Sequence, residues 1–367
     1  MKQVCLLCER TSFDNNLYCQ EVYCQAEKSP TILGYGKWLG DIEIVRPVVV
    51  LRSSVLYEAS HQKERVFLKV AHVGSENTER LKREAEFLKT IRVSNERNTF
   101  LPNWRPPYAN ATVSAQTEAY GRAMLGEHLF YYYLSDFFAG ESLRDALTKN
   151  PQMWVNHIGW LVMRLSSSIA LLQSKGVLHF GINPESLLVH FEDNPSVPTI
   201  HLLDLGIAST PQNINNDWYS FMVPPAYTAP EIMQPHLQKP SYATDVYGLG
   251  LILYEMLVGV PAYPFKLKSD EEVYQAVLKN HHVNMNRTAD VRAIAELAVR
   301  MVDVQVANRP QNAAQVVQEL LKLFGEVPTA KKSRWPSLNT ILIIVISLLT
   351  VAFLITFFVT LNQLNII

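Results

Sequence analysis

The sequence predicts an α+β chain of two lobes, the first strand-rich and the second helical. Three observations carry this. Between residues 41 and 72 three runs, DIEIVRPVVVL, SVLYEAS and RVFLKVAH, are rich in Val and Ile and broken by polar turns, as strands are. One helical pattern follows, SENTERLKREAEFLKTI, in which Leu81, Ala85, Leu88 and Ile91 share a face. After Gly140 the pattern is mainly helical, with HIGWLVMRLSSSIALLQSKG, DVYGLGLILYEMLVG and AAQVVQELLKLFG. The chain has 367 residues, 48% hydrophobic and 18% charged, which allows two or three units with a sizeable core. Lys and Arg number 33 against 34 Asp and Glu, so the net charge of -1 provides no footprint for nucleic acid.

The first element, over 1–30, holds all four cysteines: Cys5, Cys8, Cys19 and Cys24. The spacing is C-x2-C, ten residues, then C-x4-C. Two close pairs place four thiolates tetrahedrally around one zinc, and a module this small needs the metal to fold. Two disulfides are the rival, disfavoured in a reducing cytosol. Four thiolates leave no open position for water, so a structural zinc ribbon is expected rather than a catalytic site.

The second element spans 35–324, with the strand-rich lobe over 40–135 and the helical lobe over 140–324. Here the residues resemble the protein-kinase family, in order along the chain. FLKVA is similar to the strand that carries the phosphate-binding lysine, Lys69. LKREAEFLK is similar to the next helix with its glutamate, Glu84. YYYLSDFFAGESL resembles the last strand of the first lobe and the hinge, whose backbone at 136–138 would pair with adenine. GVLHFGINPESLLV stands at the catalytic loop. LLDLGIA matches the metal-binding Asp-Phe-Gly with Asp204, Leu205 and Gly206. YTAPE closes the activation segment at Glu231, DVYGLG supplies a buried helix with Asp245, and ANRP supplies Arg309 as partner of Glu231. Eight matches in sequence are specific where each alone is not. The resemblance implies a bilobal kinase-like fold, similar to bacterial serine/threonine-kinase-like proteins. It also implies ATP held by Lys69, Glu84 and Asp204, with magnesium on Asp204. Leu88, His179 and Leu205 would stack as a spine through both lobes.

The departures bear on activity. Where the family reads H-R-D-x-K-x-x-N, this chain has His179, Phe180, Gly181, Ile182, Asn183, Pro184, Glu185 and Ser186. Gly181 replaces the base that accepts the substrate proton, Asn183 the lysine that neutralises the moving phosphoryl group, and Ser186 the ligand of the second magnesium. Phe180 replaces the arginine that reads a phosphorylated loop, and Pro224 the threonine before Y-x-A-P-E. The glycine-rich loop is replaced by Leu51, Arg52, Ser53, Ser54 and Val55, without the glycines that let backbone N–H groups approach phosphates. Losing a base alone typically costs about 10²–10⁴-fold. The expected product is a catalytically impaired pseudokinase, a signalling scaffold or nucleotide-dependent switch with protein partners. The alternatives are an active divergent Ser/Thr kinase, and a zinc-ribbon binding module on a kinase-like platform.

The last elements are a linker over 325–340 and an uncharged run of 21 residues over 341–361, ILIIVISLLTVAFLITFFVTL. As a helix this run is about 31 Å long, enough to cross a bilayer core. Lys331, Lys332, Arg334 and Trp335 flank it, which predicts a single-pass C-terminal anchor with the preceding domains in the cytoplasm. No apolar run of signal length opens the chain.

Overall fold

The three Val- and Ile-rich runs are strands. The computed structural model describes residues 3–4, 11–12, 33–51, 53–93, 100–107, 118–126, 128–191, 197–214, 223–236, 238–263, 269–282, 285, 291–327, 346–347 and 349–351. In it β4 (Ile42–Val50), β5 (Ser54–His61) and β6 (Glu64–Ala71) follow the predicted runs closely. With β3 (Trp38–Leu39), β7 (Trp104–Arg105), β8 (Gly121–Leu125) and β9 (His128–Asp136) they form one sheet in the order β3-β4-β5-β6-β9-β7, with β8 also on β9. Every pairing is antiparallel. Pro47, which cannot donate to a ladder, stands at a register shift of β4 against β5.

The strand period of two separates the sheet's faces. Val66, Leu68 and Val70 of β6 join Val55, Tyr57 and Ala59 of β5 in one core. Phe67 and Lys69 belong to the opposite face, beneath which α1 (Ser75–Val93) lies. Leu81, Ala85, Leu88 and Ile91, the face predicted from spacing, are all buried. Residues 121–125, which carry no strand signal of their own, form strand β8. Its sequence, GRAML, lacks apolar alternation, and its pairing with β9 decides its state.

The second lobe is helical. Its helices are α2 (Leu143–Lys149), α3 (Val155–Ser174), α4 (Pro230–Met233), α5 (Tyr242–Val258), α6 (Asp270–Leu278), α7 (Arg292–Met301) and α8 (Ala313–Phe324). A small sheet orders β10 (Glu141–Ser142), β11 (Leu187–His190) and β12 (Thr199–Leu202) under the hinge. Helix α5 is apolar nearly all round because it is buried nearly all round. Ser241 begins it with a reciprocal cap to Thr244, and Gly259 ends it in the left-handed conformation (φ +86°). A Cβ at Gly250 would lie 2.6 Å from Met301 Cβ, so α5 and α7 approach as only glycine permits. The core runs from Leu81, Ala85 and Leu88 of α1 through Leu205 to α3, α5 and α8.

Strands β1 (Gln3–Val4) and β2 (Thr11–Ser12) pair antiparallel and bracket Cys5 and Cys8 in sequence. The four cysteines themselves lie outside the described residues. The chain divides into two units, Met1–Val327 and Pro328–Ile367. In the second, Ile346, Ser347, Leu349, Thr350 and Val351 are helical, and Thr350 Oγ1 donates to Ile346 O at 2.9 Å. The rest of the 341–361 run lies outside the described residues, among which no helix is long and apolar enough to cross a membrane.

Candidate functional site

The sequence-predicted trio Lys69, Glu84 and Asp204 is assembled. Strand β6 delivers Lys69, α1 delivers Glu84, and the turn after β12 delivers Asp204. Lys69 Nζ donates to Glu84 Oε2 at 2.5 Å and to Asp204 Oδ1 at 3.1 Å. Lys69 and Glu84 side chains are each 1% exposed and Asp204 is 16% exposed, so a closed ion pair has one carboxylate at its edge. Burial disfavours the Lys69 cation, but Glu84 and Asp204 outweigh it and hold the ammonium above its ordinary pKa. Burial pushes the Glu84 carboxyl up against the pull of Lys69. Tyr133, facing Lys69 across the β6–β9 ladder, donates its hydroxyl to Glu84 Oε1 at 2.9 Å. Within the run of three tyrosines in β9, no feature of the sequence marks this one.

Asp204 adopts a left-handed backbone (φ 62°), uncommon for a residue with a Cβ. A Cβ at Gly206 would meet Arg80 Cβ at 3.0 Å and Arg80 O at 3.1 Å, so this glycine lets α1 close onto the turn. Arg80 sits one helical turn before Glu84 and is buried there, with Nη2 3.7 Å from Glu76 Oε2.

The loop at 179–186 has a different character. Asp245 of α5 accepts the N–H groups of His179 and Phe180, both at 2.9 Å. The His179 ring is fully buried with Nε2 2.9 Å from Leu203 O, and burial lowers its pKa. Asn183 Oδ1 accepts from the N–H groups of Glu185 and Ser186, and Asn183 Nδ2 donates to Gly181 O at 2.9 Å. Ser186 Oγ accepts from Asn183 N at 3.1 Å and lies 2.8 Å from Asn183 O. Both side chains thus serve the loop itself and are buried. A Cβ built on Gly181 would lie 2.4 Å from Ile207 Cδ1, with Val223 Cγ2 at 3.4 Å. The end of the Ile207 side chain, just after Gly206, thus rests where a Cβ at 181 would stand. That Ile207 comes to Gly181 is not visible in the sequence.

The turn between β4 and β5 folds back on itself. Leu51 N donates to Ser54 O at 2.8 Å, and His72 N to Ser53 O at 2.9 Å. His72 Nε2 reaches Leu51 O at 2.8 Å, and burial pushes the imidazole down to about 4. The folded chain therefore holds His72 neutral, whereas the unfolded chain protonates near 6.5. This contribution to stability is complete above pH 6.5 and is lost as pH falls to about 4, a change of about 3 kcal/mol. A melting series from pH 7 to 4 is expected to flatten in His72→Gln relative to wild type; equal slopes would refute the assignment.

Two polar struts stiffen the second lobe. Glu231 and Arg309 form a two-pronged pair, Nη1 to Oε1 2.8 Å and Nη2 to Oε2 2.9 Å, with both side chains fully buried. Arg144 of α2 donates to Glu185 Oε1 at 2.7 Å, to the Tyr227 hydroxyl at 2.6 Å and to Glu255. Leu88, His179 and Leu205 are all buried, as expected of a spine.

A model of the protein kinase domain matches residues 118–324, more than half of the chain. A serine/threonine-protein kinase of Drosophila melanogaster is 30% identical over 149 residues, 40% of this chain and 19% of the relative. One from Drosophila persimilis matches to the same extent. The calcium/calmodulin-dependent protein kinase type 1 of Caenorhabditis briggsae is 27% identical over 157 residues, 42% of each chain. The match thus spans about a fifth of the fly relatives and under half of the nematode one. These animal relatives do not bear on the bacterial likeness expected from sequence.

Proposed function

The chain belongs to the protein kinase domain family, which as a class implies ATP and protein substrates, and from that premise we propose that this member no longer transfers phosphate and acts as a signalling scaffold. One observation carries the reading: position 181, where the family has its proton acceptor, is a buried glycine, with the Ile207 methyl 2.4 Å from where a Cβ would stand. A glycine there cannot accept a proton, and the loop's own carboxylate, Glu185, is held by Arg144 at 2.7 Å. Asn183 and Ser186, bound to the loop backbone, supply neither a cation nor a ligand aimed at a phosphate. General-base and electrostatic losses of this kind each cost about 10²–10⁴-fold. The same reading makes the kinase-like part a platform for protein partners. Zinc on Cys5, Cys8, Cys19 and Cys24 and a membrane anchor at 341–361, with the domains in the cytoplasm, complete the proposal. The hairpin β1–β2 around the first cysteine pair supports the zinc module.

The test is phosphate transfer from labelled ATP with magnesium to the chain itself and to a generic acceptor protein. No incorporation above an Asp204→Ala control is expected. Asp204-dependent incorporation would instead favour an active divergent Ser/Thr kinase, a reading kept by the intact trio of Lys69, Glu84 and Asp204. Metal analysis of the full chain is expected to find one zinc, lost in the Cys5→Ser/Cys8→Ser variant; equal zinc in both would remove the ribbon.

A further inference from the structure

A separate apolar cluster bridges the two lobes where a nucleotide base would lie. Phe67 precedes Lys69 by two residues on β6, so both side chains leave the same face of the sheet, about 7 Å apart along the strand. Across the ladder Phe67 faces Ser135, next to Asp136 at the start of the hinge. Phe67 therefore stands between the lysine and the hinge. Leu188 of β11 and Leu203, the residue before Asp204, meet it from the second lobe; Val49, Leu51 and Leu56 flank it from the first. These six side chains form one cluster, none more than 7% exposed, with Phe137 and Phe138 packed against it. The Phe67 and Phe137 rings lie 5.1 Å apart at 57°, and the Arg65 guanidinium caps Phe137 at 4.0 Å. Phe138 stacks on His201 at 3.9 Å, tying the hinge to the second lobe.

We propose that Phe67 and its neighbours occupy the place of a purine, so that the cleft is a packed core that holds the lobes closed without nucleotide. The phosphate end fits ATP, since Lys69, Glu84 and Asp204 are the right groups in the right order. The base end does not. A purine entering between the lobes would have to displace an aromatic ring from a cluster that excludes water, and interiors packed to this degree do not admit a bicyclic ring without opening. The backbone over the phosphates is also committed, because Leu51 N–H already binds Ser54 O. This goes beyond loss of transfer, since a chain can bind ATP and still fail to transfer its phosphate. It also removes nucleotide gating from the scaffold reading.

The experiment is a melting titration of the purified full chain with millimolar ATP, with and without magnesium, on wild type and Phe67→Ala. Wild type is expected to show no shift. Phe67→Ala is expected to melt lower and to gain ATP affinity by at least about tenfold, because the truncation leaves an apolar cavity that a ring can fill. Phe67→Val serves the same purpose if the alanine variant does not fold. An ATP-dependent shift in wild type overturns the proposal. A folded Phe67 variant that gains nothing overturns the role of Phe67. Binding to wild type without transfer would sink this inference and leave the scaffold reading intact, whereas transfer would sink both.

Discussion

Gly181→Asp is expected to destabilise the chain by about 2 kcal/mol or more and to restore no phosphate transfer. The first contribution is steric. A Cβ at this position would lie 2.4 Å from Ile207 Cδ1, the free end of a half-buried side chain that can turn aside at a rotamer cost of about 1 kcal/mol. The second is electrostatic. Gly181 is buried, and its carbonyl is already bound to Asn183 Nδ2. A carboxylate beside these buried groups gives up part of its water, which costs about 1–3 kcal/mol. The variant Gly181→Asp/Ile207→Ala separates the two, because it removes the overlap and keeps the charge. It is expected to recover at most about 1 kcal/mol of the loss in a urea melt. A Gly181→Asp chain as stable as wild type would show that Ile207 gives way freely. Phosphate transfer regained in Gly181→Asp would show that one residue separates this chain from an active enzyme.

Glu231→Ala is expected to cost about 3–5 kcal/mol, because it leaves a buried guanidinium without its counter-ion. The geometry puts this pair at the severe end. Both prongs are good hydrogen bonds between fully buried side chains. Arg309 also donates to Asp303 O at 2.6 Å and Ala243 O at 3.1 Å, and its guanidinium lies 4.7 Å from the Tyr247 ring. The pair therefore ties α4, the start of α5 and the approach to α8 together. Arg309→Ala removes those carbonyl bonds as well and is expected to be at least as damaging. Glu231→Gln keeps one acceptor and is expected to fall between wild type and Glu231→Ala. Urea midpoints decide this, and a Glu231→Ala loss below about 1 kcal/mol would mean that the guanidinium has found solvent.

Much of this was legible beforehand because its signals are local or ordered along the chain. Val- and Ile-rich runs broken by polar turns gave β4, β5 and β6, and period-3.6 spacing gave α1 and its buried face. The trio Lys69, Glu84 and Asp204 and the pair Glu231–Arg309 came from the order of motifs, and the structure brings each together. Strand β8 was not legible, because GRAML becomes a strand only by pairing with β9. Tyr133 and His72 were missed for the same reason: their roles come from neighbours brought in by the sheet and the adjoining turn.

By itself the sequence determined the fold class, the charge types at the phosphate end, and the loss of a side chain at Gly181. A residue's identity settles whether an acid is present. Only the tertiary structure decided whether the vacated positions stay open. Ile207 lies 26 residues from Gly181, yet its terminal methyl comes within 2.4 Å of where a Cβ there would stand. Leu188 and Leu203 close on Phe67 from the other lobe. Occupied volume depends on which distant side chains packing brings to one place, and no local pattern of residues encodes that.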